Sequence, residues 1–327
     1  MRILSRFPKP CRFILWAVLP AYVGGLCLCE AGTAPLSLFQ FEAAGMGTRF
    51  TIQIYAASEP EVRPVVSAAW KRLEELNRKF TDYDPDSELM RFCRQPPGSR
   101  VSLSPELQEV LSTCQAIAQF TNGAFDITIG PLKRLWKQSA RDGRLPTAEQ
   151  LAPALSKTGF EKLQLYPDGT ASLAVEGMRL DLGGIAKGYA ARELVRIIAA
   201  AGFPAVLVAA SGDISVGEAP PGKTGWTVGI VTADHPFHMP PHSAISTSGD
   251  SEQFFEMDGV RYSHILSPKT GLGLTHRTIV SVHGPDGMMT DALATAVSVS
   301  GSIDTLPEQI RREYQFLILP QTDGKGK

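Results

Sequence analysis

Residues 180–189 bring an acid, two glycines and a lysine to the junction of a predicted strand and a predicted helix. Asp181 lies in a short apolar stretch, Gly183 and Gly184 follow it, and Lys187 falls in the first turn of the helix. Glycine lets the backbone come close to a ligand, and a helix N-terminus favours negative charge. The segment therefore predicts a site for a phosphate-bearing cofactor.

A carboxylate and a hydroxyl occur four positions apart further along the chain. Asp291 and Thr295 share one face of a helix predicted over residues 288–300, because side chains at i and i+4 are neighbours. Oxygen ligands of this kind suit a hard cation such as Mg²⁺, which takes its other ligands from phosphate and water. A backbone carbonyl at the Gly183–Gly184 turn would complete the set. The alternative is that Asp291 is an N-terminal helix charge and Thr295 a buried polar residue.

Two aromatic residues have a polar neighbour and so are candidates for binding a flat ring. Phe125 lies between Ala124 and Asp126 in the turn after a predicted helix, where ring stacking and a hydrogen bond are both available. The alternative for this turn is a glycine helix cap with Phe125 in the core. Tyr83 lies in a polar loop, and it likewise either contacts a ligand ring or has only a structural role.

The histidines provide one candidate base and one apparent metal cluster. His264 lies in a strand of the predicted hairpin over residues 254–266. An unperturbed imidazole would titrate near neutrality, which suits a general base, although a structural role is the alternative. His235, His238 and His242 are separated by prolines that exclude a helix, so we interpret them as part of an exposed loop.

The pattern of elements predicts an α+β fold in one integrated domain, because strands come in runs interrupted by a few long helices. The predicted helices cover residues 61–80 and 288–300 and begin near residues 105, 148 and 185, and the predicted strands are 49–55, 163–166, 171–175, 178–182, 205–209, 226–231, 243–247, 278–283 and 315–319, with a hairpin over 254–266 about Asp258 and Gly259.

Composition limits the classes of function. The 327 residues are 43% hydrophobic and 20% charged, and the formal net charge of −1 gives no reason to expect a nucleic-acid partner. Basic residues, an apolar run over 13–23 and then small residues make residues 1–34 a signal peptide or a retained N-terminal anchor, which leaves residues 35–327 as the functional domain. Cys93 and Cys114 are either a disulfide pair or small buried side chains.

Taken together, the motifs resemble those of the ApbE family of FAD:protein FMN transferases. The matching segments occur in the family's order and are residues 45–48, 80–92, 123–132, 180–189, 210–213, 246–250, 263–271 and 291–295. They span about residues 40–320, and the ordered set is far more specific than any single segment. Three positions depart from the family's usual pattern, namely Ser251, Gln253 and Ser267.

The resemblance implies a fold, an activity and a location. The fold would be a single T-fold-like α+β domain with mixed sheets and several long helices. The activity would be Mg²⁺-dependent transfer of FMN from FAD to a Ser or Thr hydroxyl of a partner flavoprotein, with release of AMP. The alternatives are FAD hydrolysis to FMN and AMP, or flavin binding without turnover. The protein would be exported to the periplasm or cell envelope, where it would serve acceptor domains of exported or membrane redox complexes, with an inner-membrane anchor as the alternative to cleavage.

The resemblance also implies roles for individual residues. Those expected to bind FAD are Met46, Tyr83, Ala124, Phe125, Asp126, Asp181, Lys187 and Leu266. Those expected to hold Mg²⁺ are Gly184, Asp291 and Thr295. His264 is the expected base for the acceptor hydroxyl.

Overall fold

The computed structural model describes residues 35–232, 235–249, 254–257 and 259–320. Its strands are β1 (Ser37–Gly45), β2 (Thr48–Ala56), β3 (Val101–Ser102), β4 (Leu163–Leu165), β5 (Thr170–Leu173), β6 (Val206–Ala210), β7 (Asp213–Val216), β8 (Trp226–Val228), β9 (Phe237–Met239), β10 (Ala244–Ser248), β11 (Phe254–Met257), β12 (Val260–Ser263), β13 (Thr278–Gly284) and β14 (Gln315–Pro320). Its α-helices are α1 (Glu59–Phe80), α2 (Glu88–Cys93), α3 (Pro105–Phe120), α4 (Gly130–Asp142), α5 (Ala148–Leu155), α6 (Ala186–Ala200), α7 (Gly287–Ser300) and α8 (Glu308–Glu313).

A seven-stranded sheet in the order β1-β2-β6-β7-β10-β13-β14 is the scaffold. Each neighbouring pair in it is antiparallel. The α+β class with several sheets and helices is thus confirmed, and the neighbouring strands of the large sheet run antiparallel. Short hairpins join β1 to β2 and β6 to β7. Longer connections lead to the other strands, which also run antiparallel to the strands beside them.

One face of this sheet is covered by α1, α6 and α7. Apolar side chains of β2 and β6 meet those of the three helices in one core, which includes Phe50, Val208, Leu73, Leu194 and Ala292. The β8–β9 hairpin covers the middle of the opposite face, where Trp226 and Met239 pack on Leu207 and Ile245. The sheet is therefore a middle layer that holds α6 and α7 side by side.

A smaller unit packs beside the sheet. Leu132 and Trp136 of α4, Met257 of β11, Tyr262 of β12 and Leu266 share an apolar cluster. Helix α4 thus connects the β11–β12 hairpin to the rest of the structure. The sequence did not predict α4, although Pro131 near its start and Leu132, Leu135 and Trp136 at helical spacing are the signal that could have found it.

Most predicted elements are confirmed within a few residues at their ends, including the Thr147–Gln150 capping box of α5. The strand predicted over residues 178–182 is wrong. Asp181 donates its backbone N–H to the Ile127 carbonyl at 2.7 Å, and the Leu180 N–H is directed to the Cys93 sulfur at 3.4 Å. Because these groups have partners outside any sheet, the segment is extended without being a ladder strand.

The structure also tests the predictions for the cysteines and the histidines. Cys93 and Cys114 are both free and buried, so the interpretation as small buried side chains holds. His238 lies in β9 rather than in a loop, and the His242 ring nitrogen is 2.9 Å from Glu218. Residues 1–34 and positions 250, 251, 253 and 258 lie outside the described residues. In the part that is described, no helix combines the length and the apolar character needed to cross a membrane.

Candidate functional site

The turn before α6 is held by one side-chain and one backbone hydrogen bond. The Asp181 Oδ1 accepts the N–H of Gly183 at 2.9 Å, and the Leu182 carbonyl accepts the N–H of Ala186 at 2.9 Å. At Gly184 a Cβ atom would lie 2.9 Å from the Thr295 Oγ1. Only glycine therefore allows the backbone to come this close to the threonine hydroxyl.

Helices α6 and α7 touch through two glycines. A Cβ at Gly188 would overlap the carbonyl oxygen of Gly287 and lie 2.8 Å from the Asp291 Cβ. This contact lets the Gly188 N–H donate to the Asp291 Oδ2 at 3.1 Å. Asp286, rather than Asp291, caps α7, since its carboxylate accepts the Met289 N–H at 2.9 Å. Asp291 is therefore a buried side chain aimed at α6, one turn inside its own helix.

The Lys187 ammonium lies between two buried carboxylates. Its Nζ is 3.0 Å from Asp213 and 3.5 Å from Asp291, and it donates to the Gly183 carbonyl at 3.1 Å. Burial alone would lower the pKa of Lys187, but the two carboxylates raise it, so the lysine stays charged. Burial and the nearby Asp213 raise the pKa of Asp291 to about 7 against the opposing effect of Lys187.

This group of charges fits a bound cation. One ammonium faces two carboxylates, so the cluster retains excess negative charge in a buried place, which a cation would neutralise. Gly184, Asp291 and Thr295 offer a carbonyl, a carboxylate and a hydroxyl, the oxygen donors that Mg²⁺ prefers. Among the residues that the structure describes, no group of three or more His, Cys, Asp or Glu side chains is placed to hold a metal ion. The three donors Gly184, Asp291 and Thr295 would leave the other positions of an Mg²⁺ ion to phosphate and water.

The turn after α3 contributes an aromatic edge to the same place. A Cβ at Gly184 would lie 3.4 Å from the Phe125 Cε2, so the buried Phe125 ring borders the turn. The Asp126 carboxylate accepts the Thr128 N–H at 2.8 Å and the Thr128 hydroxyl at 2.7 Å, and burial raises its pKa. Ala124 and Asp126 are both buried. Phe125 is thus in the core, as the alternative interpretation held, and also beside Gly184.

The remaining predicted residues lie on other elements. Met46 is half-buried at the tip of the β1–β2 hairpin with a φ of 48°. Tyr83 is 77% exposed, and the Lys137 Nζ is 3.1 Å from its hydroxyl. His264 is exposed just after β12, and Leu266 is buried two residues later. The structure thus brings Phe125, Asp181, Gly184, Lys187, Asp291 and Thr295 together and places Met46, Tyr83, His264 and Leu266 around them on separate elements.

Two charged residues of the site were not predicted. Asp213 begins β7 after a turn in which Ser211 has a φ of 58°, and it pairs with Lys187. Lys133, on α4, forms an ion pair with the buried Asp181. Both partners are remote in sequence, so no local spacing indicates them. The resemblance had included residues 210–213, and that was the only available signal for Asp213.

Comparisons with known proteins show which proteins this chain resembles. A profile of the ApbE family matches residues 46–316. The chain is 29% identical over 322 residues to the FAD:protein FMN transferase of Vibrio cholerae, which covers 95% of each protein. It is 30% identical over 279 residues to that of Treponema pallidum, covering 78% of this chain and 77% of the relative.

Solved structures show the same fold. The flavin transferase ApbE from Vibrio cholerae superposes with a TM-score of 0.77 at 28% identity, covering 88% of this chain and 95% of the other. The flavinyl transferase ApbE of Pseudomonas stutzeri, in its apo form, gives a TM-score of 0.78 at 26% identity, with 88% and 93% covered. The fold and most of the sequence point to one conclusion: this chain belongs to the ApbE family.

Proposed function

We propose that this chain transfers FMN from FAD to a Ser or Thr hydroxyl of a partner flavoprotein, with Mg²⁺ bound and AMP released. The family membership supports the flavin transferase activity, since the curated relatives carry that activity in their names. The observation that carries the finer proposal is the cluster at the start of α6. There Lys187 lies between Asp213 and Asp291, beside a glycine turn and the Thr295 hydroxyl.

The reaction exchanges one phosphorus–oxygen bond for another. The acceptor hydroxyl oxygen bonds to the phosphorus on the flavin side of the pyrophosphate. The bond from that phosphorus to the bridging oxygen breaks, and AMP leaves with the electron pair. Lys187 lies beside the glycine turn and holds positive charge where the pyrophosphate oxygens would gather negative charge. His264, exposed after β12, would take the hydroxyl proton.

Gly184, through its carbonyl, Asp291 and Thr295 would hold the Mg²⁺. Such an ion, when bound, polarises phosphoryl oxygens and neutralises charge on the leaving group. The protein's own part is to keep the three donors in place, and the glycine contacts at Gly184 and Gly188 do this by fixing α6 against α7.

The flavin would lie among the residues that surround this cluster. Phe125 and Tyr83 would provide aromatic contacts, Met46 and Leu266 would provide apolar contacts, and the turn of Ala124 and Asp126 together with Asp181 would provide polar contacts. The buried state of Asp126 and its bonds to Thr128 suit a role in shaping the turn as well as in contacting the ring.

The acceptor and the location are further parts of the proposal. The basic and apolar pattern of residues 1–34 supports export to the periplasm or envelope, by a cleaved signal or a retained anchor. The acceptors would then be flavoprotein domains of exported or membrane redox complexes.

Mass spectrometry of an acceptor domain tests the proposal. The purified protein is mixed with FAD, Mg²⁺ and a flavoprotein acceptor domain. An FMN increment on an acceptor Ser or Thr, with AMP released, would support transfer. AMP and FMN without an adduct would indicate hydrolysis, and intact FAD would indicate a binding protein.

A further inference from the structure

Helix α4 reaches three parts of the proposed site. Its Lys133 forms an ion pair with Asp181, its Lys137 donates to the Tyr83 hydroxyl at 3.1 Å, and its Leu132 packs in the cluster that contains Leu266. The Lys137 ammonium also lies 4.7 Å from the centre of the Tyr83 ring. A helix that the sequence did not predict is therefore the common support of residues from three separate segments.

We propose that Lys133 is a positioning residue for the metal site, acting through Asp181 on the glycine turn that presents the Gly184 carbonyl. The inference rests on the proposed function, because it takes Gly184 to be a metal ligand. It adds a residue of α4 that neither the motifs nor the resemblance had pointed to.

The first step of the argument is the ion pair itself. The Asp181 side chain is 7% exposed, so its carboxylate is largely withdrawn from water and needs a partner. Lys133, at 31% exposure, supplies the positive charge. Burial alone would lower the pKa of Lys133, but Asp181 raises it, so the lysine remains charged. Removing one partner leaves an uncompensated buried charge.

The second step is the link from Asp181 to the turn. The Asp181 Oδ1 accepts the Gly183 N–H at 2.9 Å, and Gly184 is the next residue. A Cβ at Gly183 would lie 2.9 Å from that Oδ1 and 3.5 Å from the Lys133 Nζ. The ammonium, the carboxylate and the turn therefore form one compact contact. A change in the Asp181 rotamer would shift the Leu182–Gly183 peptide and, through this tight turn, the Gly184 carbonyl two peptides further on.

Positioning and plain electrostatics predict opposite results. Removing a positive charge beside a cation site strengthens cation binding if charge is all that matters. Removing a group that orients the site weakens binding, commonly by about 10- to 100-fold where an outer partner of a metal ligand is lost. The sign of the change therefore separates the two roles without reference to activity.

The test is Mn²⁺ binding to the purified full chain without FAD, measured by calorimetry. We expect Lys133→Met to weaken Mn²⁺ binding by about tenfold or more and Lys133→Arg to restore much of it. Arg141→Met removes the same charge from an exposed position of α4 and serves as the matched control, with an unchanged affinity expected. Unchanged or tighter binding by Lys133→Met would overturn the proposal.

A double-mutant cycle tests the route through Asp181. If Lys133 acts through that carboxylate, adding Lys133→Met to Asp181→Asn changes Mn²⁺ affinity no further. The double variant has neither charge of the pair, and in Asp181→Asn the remaining Lys133 is 31% exposed, so the comparison remains decisive if Lys133→Met alone fails to fold. A further loss in the Asp181→Asn background would overturn the proposal. Wild-type protein that binds no Mn²⁺ would instead refute the metal assignment, which distinguishes the two failures.

Discussion

Several contacts hold the Asp291 side chain in the candidate site. It is buried in α7, accepts the Gly188 N–H at 3.1 Å, and shares Lys187 with Asp213. Burial and the second carboxylate raise the pKa of Asp291 above its ordinary range. A buried carboxylate held in this way is ready to bind a cation, whose charge would favour the ionised form.

We predict that Asp291→Asn removes the activity while the fold survives. The amide keeps the shape of the side chain but loses the charge that binds the cation. Metal ions contribute several kcal/mol to stabilising the transition state, so AMP release from FAD should fall by more than about 100-fold. Liquid chromatography of AMP measures this, with circular dichroism as the control for folding. AMP release within about threefold of wild type would refute the metal assignment.

The backbone of Met46 adopts a left-handed conformation that is unusual for methionine. Met46 and Gly47 form the two-residue turn of the β1–β2 hairpin with φ values of 48° and 75°. Such a turn favours Asn-Gly, and a methionine in the left-handed region is strained by about 1–3 kcal/mol. Strain that persists at a hairpin tip is consistent with selection for the side chain itself.

Met46→Asn should therefore separate stability from binding. The unfolding free energy should stay within about 0.5 kcal/mol of wild type, because a better turn residue offsets the lost packing. FAD affinity should weaken by about tenfold, because an apolar contact to the flavin is lost. Urea unfolding and FAD titration measure the two quantities. A large loss of stability with unchanged FAD affinity would show that Met46 serves only the fold.

At the scale of elements, the α6–α7 contact decides the geometry of the site. The two helices approach through Gly188 and Gly287, so Asp291 reaches the backbone of α6. Gly184 and Thr295 meet at the same contact. The site therefore depends on how closely the two helices pack.

We expect Gly188→Ala to destabilise the fold by about 1–3 kcal/mol, because its methyl group would overlap the Gly287 carbonyl and push the helices apart. Mn²⁺ affinity should fall with it. Gly229→Ala is the matched control, since a Cβ there meets nothing within 4 Å. Equal stability of the two variants in urea unfolding would show that the helices can separate without penalty.

The sequence allowed prediction of the elements that carry their own periodic signals. Helices α1, α3, α6 and α7 were found because apolar residues recur on one face or because Ser104 and Pro105 mark a start. Asp291 and Thr295 were found because one helix determines their spacing. Ion pairs between distant segments could not be predicted, because the Lys133–Asp181 and Lys187–Asp213 pairs form only when separate elements pack. The strand over 178–182 was wrong because its buried leucines pack in the core without a ladder.

At the scale of the whole molecule, a network of partly buried ion pairs connects three helices. Arg72 of α1 lies 2.7 Å from Glu106 of α3 and 3.2 Å from Glu193 of α6, and Lys79 lies 2.6 Å from Glu106. Burial alone would raise the pKa of Glu106, but the hydrogen bonds from Lys79 and Arg72 lower it from 4.5 to about 2. The folded state therefore holds this proton more weakly than the unfolded state.

This difference predicts how stability depends on pH. The stabilisation by Glu106 is complete above about pH 4.5 and is lost as the pH falls towards 2, because the unfolded chain takes up the proton first. Over that window wild type should lose about 1–2 kcal/mol more than Glu106→Gln, with partial exposure of the network limiting the effect. Urea unfolding at several pH values measures this. Parallel curves for the two proteins would refute the assignment.

The central claim, that this fold transfers FMN through the α6–α7 cluster, has one direct test. Intact-mass measurement follows an acceptor domain incubated with FAD, Mg²⁺ and either wild type or Asp291→Asn. We predict an FMN adduct on a Ser or Thr with AMP released for wild type, and neither product for the variant. An adduct formed equally by both proteins would contradict the claim, because transfer would then proceed without the carboxylate on which the proposed site depends.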